Sequence, residues 1–156
     1  MADAVLDPLW REAAAIVAVA ERTRSWEATA TYMSTALPWG FGAPGTSFFA
    51  KEILHDMALS GRLAFDDRDA WCPVGPGARR GLNWLHGRGE SERPRRALEE
   101  MRALLALARE AMPPWMPELE LHDVQFCLCE FGKYCRLLAD PARAPRRIFV
   151  PHGLGV

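Results

Sequence analysis

The sequence predicts an all-α fold, a compact bundle of about six helices. Two observations predict it. Apolar residues recur at helical spacing along most of the chain, while strand-type alternation is nearly absent. Clusters of glycine and proline separate these periodic stretches. The length, 156 residues, suits one domain, and the mix of 49% hydrophobic and 25% charged residues is that of an ordinary globular protein, not a disordered one. One domain over residues 1–156 is therefore expected, with no internal repeat and no long linker.

The elements follow in order. Residues 8–36 read as one or two helices: Trp10, Ala14, Val17 and Ala18 hold helical spacing, and a second helix over Ser25–Ala36 carries Trp26, Ala30 and Met33. Pro38 to Thr46 is a tight loop with Gly40, Gly42 and Gly45, and Thr46 or Ser47 caps the next helix. That helix, about Phe48 to Ser60, turns Phe49, Ile53, Leu54 and Met57 inward and stops at Gly61. An Asp-rich connector, which reads as a solvated loop, precedes a helix opened by Gly75-Pro76-Gly77 and running from about Ala78 to Leu85. After a polar loop, a helix from about Pro94 to Met112 shows a stripe of Leu98, Met101, Leu104, Leu105 and Ala108. A last helix spans about His122 to Leu138, with Val124, Leu128, Phe131, Cys135 and Leu138 as its core stripe. The tail from 141 is irregular, with 146–150 briefly extended.

Charge and cysteine content narrow the function. A net charge of −1 argues against a general electrostatic coat for nucleic acid. Arginine nevertheless dominates the cations, since Lys51 and Lys133 are the only lysines. Arginines cluster at Arg79-Arg80, Arg93 to Arg96 and Arg143 to Arg147; codon bias accounts for the ratio but not for the clustering. Guanidinium forks suit phosphate oxygens. No stretch is long and apolar enough to span a membrane, and no secretory signal is seen, so a cytoplasmic location is expected. Cys72, Cys127, Cys129 and Cys135 lack zinc-pair spacing; reduced, mostly buried thiols and no metal are expected.

Three segments carry chemistry. The first is Gly40 to Asp56, a glycine turn followed by a helix with Lys51, Glu52, His55 and Asp56; such a turn can grip a backbone phosphate, although an ordinary inter-helix loop is the commoner use of such residues. An acid at Asp56, near a helix C-terminus, runs against the helix dipole and so hints at function. The second is Gly75 to Asn83. Gly75 and Gly77 allow a ligand close to the backbone, the helix start supplies N–H donors, and Arg79, Arg80 and Asn83 add two guanidiniums and an amide. That set suits a phosphate, although a capped surface helix uses the same residues; no Walker A spacing is present. The third is His122 to Tyr134, where His122, Glu130 and Lys133 share a face with Phe126 between them. They supply an acid, a base and an anion binder, or else Glu130 and Lys133 are a surface ion pair.

Together, Phe49-Ala50-Lys51-Glu52-Ile53-Leu54-His55-Asp56, Gly75-Pro76-Gly77-Ala78-Arg79-Arg80-Gly81-Leu82-Asn83 and His122-Asp123-Val124-Gln125-Phe126-Cys127-Leu128-Cys129-Glu130-Phe131-Gly132-Lys133-Tyr134 resemble the alpha-glutamyl/putrescinyl-thymine pyrophosphorylases, or amino-acid:DNA transferases, over about residues 35–150. The resemblance implies a fold similar to the helix-hairpin-helix DNA glycosylases and a role in bacteriophage thymine hypermodification, hence in the infected bacterial host. The implied substrate is DNA carrying 5-hydroxymethyluracil phosphorylated on its hydroxymethyl group. The amine of an amino acid or polyamine displaces the phosphate, and no cofactor is called for. On this reading the base flips out of the duplex. Arg79 or Arg80, the Gly75 and Gly77 backbone and Lys133 hold the leaving group; Asp56 or Glu130 takes the amine's proton; Asn83 and Gln125 read the uracil edge, and His122 lies among the substrate contacts. Two departures stand out. The family's last motif reads Cys-Glu-Phe-Asp-Lys-Tyr, and Gly132 stands where that aspartate would be. The chain is also short at its N-terminus, which implies that an accessory DNA-gripping region is missing. The donor, the phosphate or pyrophosphate leaving group and the oligomeric state stay open. Two alternatives remain: a glycosylase-like enzyme using Asp56 or Asp69, and a DNA-binding module without chemistry.

Overall fold

The computed structural model describes residues 2–37 and 48–142. These form six α-helices and no strand: α1 (Ala2–Thr23), α2 (Trp26–Ala36), α3 (Phe48–Leu59), α4 (Pro76–Leu85), α5 (Ala97–Ala111) and α6 (Leu121–Ala139). The all-α expectation holds. The glycine turn at 38–47, its cap at Thr46 or Ser47, and the tail with Arg143 to Arg147 lie outside the described residues.

Local chemistry sets the boundaries. Ser25 caps α2 by accepting from the Ala28 N–H. Gly61, at φ 73°, takes the left-handed turn that ends α3. Pro76 starts α4 at a position where a missing N–H is harmless. Glu120 and Asp123 form a reciprocal capping box on α6. Helix α5 begins later than the sequence suggested, because the Pro94 to Arg96 stretch is a turn ahead of it.

Two hydrophobic cores result. One joins Ile16 and Ala20 of α1, Trp26 and Met33 of α2, and Leu54 of α3, with Phe65 and Trp71 of the connector. The other joins Leu82 of α4, Met101 and Leu105 of α5, and Leu121 and Leu128 of α6. Leu98 packs against both.

Several stripes differ from expectation. Trp10 is 83% exposed: α1, at 22 residues, outruns its 11-residue partner α2. Phe49 faces outward while Lys51 is buried, so α3 is rotated so that Ala50, Lys51 and Leu54 face inward. Phe131 and Leu138 are exposed and Cys135 only half-buried, and it is Leu128 and Gly132 that α6 presents to α4. The thiols are free, but only Cys72 is buried; Cys127 is exposed, and Cys129 and Cys135 are half-buried.

Helices α4 and α6 make the closest helix–helix contact, and glycines permit it. A Cβ on Gly81 would sit 2.1 Å from the Leu128 carbonyl oxygen, one on Gly77 2.6 Å from the Cys129 Sγ, and one on Gly132 3.0 Å from the Gly81 nitrogen. The close approach that the glycines of α4 allow is therefore to α6. Gly132 has the same task, since a side chain there would press on the Gly81 backbone.

The Asp-rich connector is a stitch, not a solvated loop. Asp67 accepts from the Ser25 hydroxyl and from the Trp26 and Glu27 N–H groups at 2.8, 2.6 and 3.1 Å, fixing the start of α2. Asp66 pairs with Arg24, and Asp69 takes both ends of the Arg109 guanidinium. Arg68 pairs with Glu120 at 2.7 Å, fastening the start of α6.

Candidate active site

The centre of the molecule is polar. Lys51 of α3 is 1% exposed, although a buried ammonium is costly unless paired. Its Nζ donates to Gln125 Oε1 of α6 at 3.1 Å and lies 2.6 Å from Glu52 Oε1. The Glu52 contact is an ion pair without hydrogen-bond alignment, so that oxygen is buried without a hydrogen bond. The Phe126 ring, its centroid 3.6 Å from Nζ, gives the ammonium a third, cation–π partner.

Gln125 connects the cation to α4. With Oε1 taken by Lys51, its Nε2 donates toward Cys129 Sγ at 3.5 Å and stands 3.9 Å from where a Gly75 Cβ would be. Residues from all three sequence segments therefore meet around this one amide.

Beside it lies an imidazole pair. The His55 and His122 ring centroids are 4.0 Å apart, and Trp26 flanks both, at 6.2 Å from His55 and 5.5 Å from His122. Burial, more than any neighbouring charge, pushes the His122 pKa from 6.5 down to about 4; Asp123 pulls upward, while His55, Lys51 and Arg68 push it further down. His122 is neutral near neutral pH. Burial also raises the Glu120 carboxyl, against the pull of Arg68, and lifts the Cys72 thiol to about 12, so Cys72 stays protonated. Trp26 Nε1, His55 Nδ1, His122 Nδ1 and Glu52 Oε1 are buried polar atoms without a hydrogen bond.

The residues expected from sequence fall into two groups. Gln125 and His122 are in the centre, with Gly75 and Gly77 at its edge. Of the backbone donors expected at Gly75 to Gly77, the Gly75 N–H donates to the Pro73 carbonyl and Pro76 has none. Asn83 is fully buried, and its Nδ2 donates to the carbonyls of Gly89, Glu90 and Glu92, anchoring the loop after α4. Arg79 and Arg80 are half-buried; Arg80 and Arg136 share Glu90 at 3.8 and 3.9 Å. Asp56 is exposed, and Glu130 and Lys133 form an exposed pair at 2.5 Å. His122 does not share a face with that pair: it is 5% exposed, on the buried side of α6.

Of the other central residues, Lys51, Glu52 and His55 are named with the first sequence segment but given no role there, and Trp26 is read only as part of an apolar stripe. A signal was available: Lys51, Leu54, His55 and Ala58 hold helical spacing, so a rare lysine sat in an apolar stripe. Among the described residues no group of three His, Cys, Asp or Glu is placed to hold a metal, and no helix is long and apolar enough to cross a membrane. The two roomier grooves are apolar: one of about 490 Å³ lined by Leu6, Trp10, Ile53 and Met57, and one of about 280 Å³ lined by Leu85, Leu104, Val124 and Phe131. They hold little chemistry, so the polar centre is the better candidate site.

Fold and site thus define an all-helical domain organised around a buried, paired cation and a histidine pair. Residues 20–143 match the family described as the 5-hmdU DNA kinase, helical domain, and the chain belongs to that family. No curated protein matches it. No solved structure matches it either.

Proposed function

We propose that this chain acts as a single domain, residues 1–156, on DNA that carries 5-hydroxymethyluracil. It is a transferase that replaces the phosphate on the hydroxymethyl group of that base with the amine of an amino acid or polyamine. Membership of a family described by a kinase for 5-hmdU in DNA supports the substrate, because such a kinase supplies the phosphorylated base. The observation that carries the reading is the meeting of α3, α6 and the start of α4 around Gln125, at the residues that resemble the amino-acid:DNA transferases. A helix-hairpin-helix glycosylase-like fold and a flipped base belong to the same reading.

The roles are these. Arg79, Arg80 and Lys133 neutralise the leaving phosphate, with the Gly77 backbone at the start of α4. Gln125, its amide orientation fixed by Lys51, presents N–H donors toward that helix start. Asn83 contributes through the loop it anchors. The exposed carboxylates Asp56 and Glu130 are the sequence-derived proton acceptors for the amine.

The test offers the protein DNA containing phosphorylated 5-hydroxymethyluracil with mixed amino acids and polyamines, then weighs the digested nucleosides. A nucleoside whose mass differs from that of the phosphorylated one by the donor minus phosphoric acid is expected. No shift with any donor sinks the transferase reading, and release of free base points to a glycosylase instead. One second reading has specific support: the family description names a kinase, while the sequence has no Walker A spacing. On that reading the domain holds the modified base for a kinase, and salt-sensitive binding without an altered nucleoside favours it.

A further inference from the structure

We propose that His55, held against His122, is the base that takes the proton from the incoming ammonium. This rests on the transferase reading. An amine nucleophile arrives protonated at neutral pH and must lose a proton before it can attack. Glu130 is 69% exposed and already paired with Lys133, and Asp56 is on the outer side of α3. Solvated carboxylates of that kind are weak bases near neutral pH.

His55 has what they lack. It is half-buried, one helical turn after Lys51, with its Nδ1 buried and unpartnered among the described residues. Its ring sits 4.0 Å from His122 and 6.4 Å from Phe126, and it stacks on Trp26. On α3, Lys51 and Glu52 balance each other. On α6, His122 is neutral and Asp123 is negative, 3.5 Å from His122 Nε2. Glu120, paired with Arg68, has its other oxygen 3.3 Å from His122 Nδ1, and Cys72 keeps its proton. The carboxylates around the imidazole pair thus stand against His122, Asp123 at 3.5 Å and Glu120 at 3.3 Å.

The step balances. One ammonium proton passes to a nitrogen of the His55 ring. The freed lone pair forms the C–N bond at the base's exocyclic CH2, while the C–O bond breaks and its electron pair leaves on phosphate. His55 then returns the proton to phosphate or solvent. His122, buried and neutral, is a positioning residue that holds the His55 ring.

The test measures transfer of an amine donor onto phosphorylated 5-hydroxymethyluracil DNA across pH 5 to 10, by wild type, His55→Gln and His55→Asn (pH values are those of the assay, spanning roughly the imidazole-to-amine range). The expected loss at neutral pH is about 100-fold or more, with DNA affinity unchanged. The wild-type limb that titrates as an imidazole should vanish in both variants, and their residual rate should climb with the free-amine fraction. Added imidazole should restore part of the rate to His55→Ala. An unchanged rate and pH profile in soluble, DNA-binding His55→Gln overturns the inference while leaving the transferase reading intact. A wild-type protein that transfers no amine overturns both.

Discussion

The residue whose environment differs most from its type is Lys51. Its neighbours compensate its burial jointly, so removing it leaves the Glu52 carboxylate and the Gln125 carbonyl oxygen without their cation. Lys51→Met should lower stability by roughly 2–4 kcal/mol, read from urea midpoints. Lys51→Met with Glu52→Gln should lose less than the single change, because no orphaned charge remains. His122 predicts a pH effect. Its folded pKa is depressed to about 4 from 6.5, so the unfolded chain binds a proton that the folded one does not. The stability linked to His122 is complete above about 6.5 and is lost as pH falls toward about 4. Glu120 works in the opposite sense, since its raised carboxyl favours the protonated folded form near and above 4.5. In a series of urea melts from pH 7 to 4, His122→Asn should flatten the decline; an unchanged slope would assign it to other groups.

At the scale of elements, the α4–α6 contact and the connector decide stability. Gly81→Ala drives a Cβ into the Leu128 carbonyl, an obstacle made of backbone that cannot rotate away. Forced separation of the helices should lower stability by about 1–3 kcal/mol or more, and it should loosen α6 protection in hydrogen exchange. Asp67→Ala removes three hydrogen bonds at the start of α2 and should lower the thermal midpoint, at about 1–2 kcal/mol. The sequence showed the helices well, because caps, Gly61 and Pro76 mark boundaries locally. It showed faces less well. Periodicity placed Phe49 inward and left Lys51 without a place in the core, since hydrophobicity alone does not foresee a lysine met by Gln125, 74 residues away, and by Phe126. The glycines of α4 were read as leaving room for a ligand. Only the position of α6 shows that Leu128 and Cys129 fill that room.

At the scale of the whole molecule, two cores meet across a polar centre, and the connector ties them at its aspartates. The candidate site was partly legible for that reason. His122 and Gln125 lie at the centre and the Gly75 to Gly77 turn at its edge, and they were visible as motifs. Trp26 was read only as core and His55 was given no role, because their importance comes from tertiary stacking between α2, α3 and α6, which no local pattern encodes. The connector's ion pairs, Arg24–Asp66 and Arg109–Asp69, are largely open to solvent and so are weakened by added salt. Any DNA complex is weakened by the same salt as counterions return to the phosphates. A salt titration of binding therefore reports cohesion between the two cores together with phosphate contacts. Repeating it with Arg109→Gln separates these contributions: the variant should melt earlier at low ionic strength, yet show the same dependence of affinity on salt.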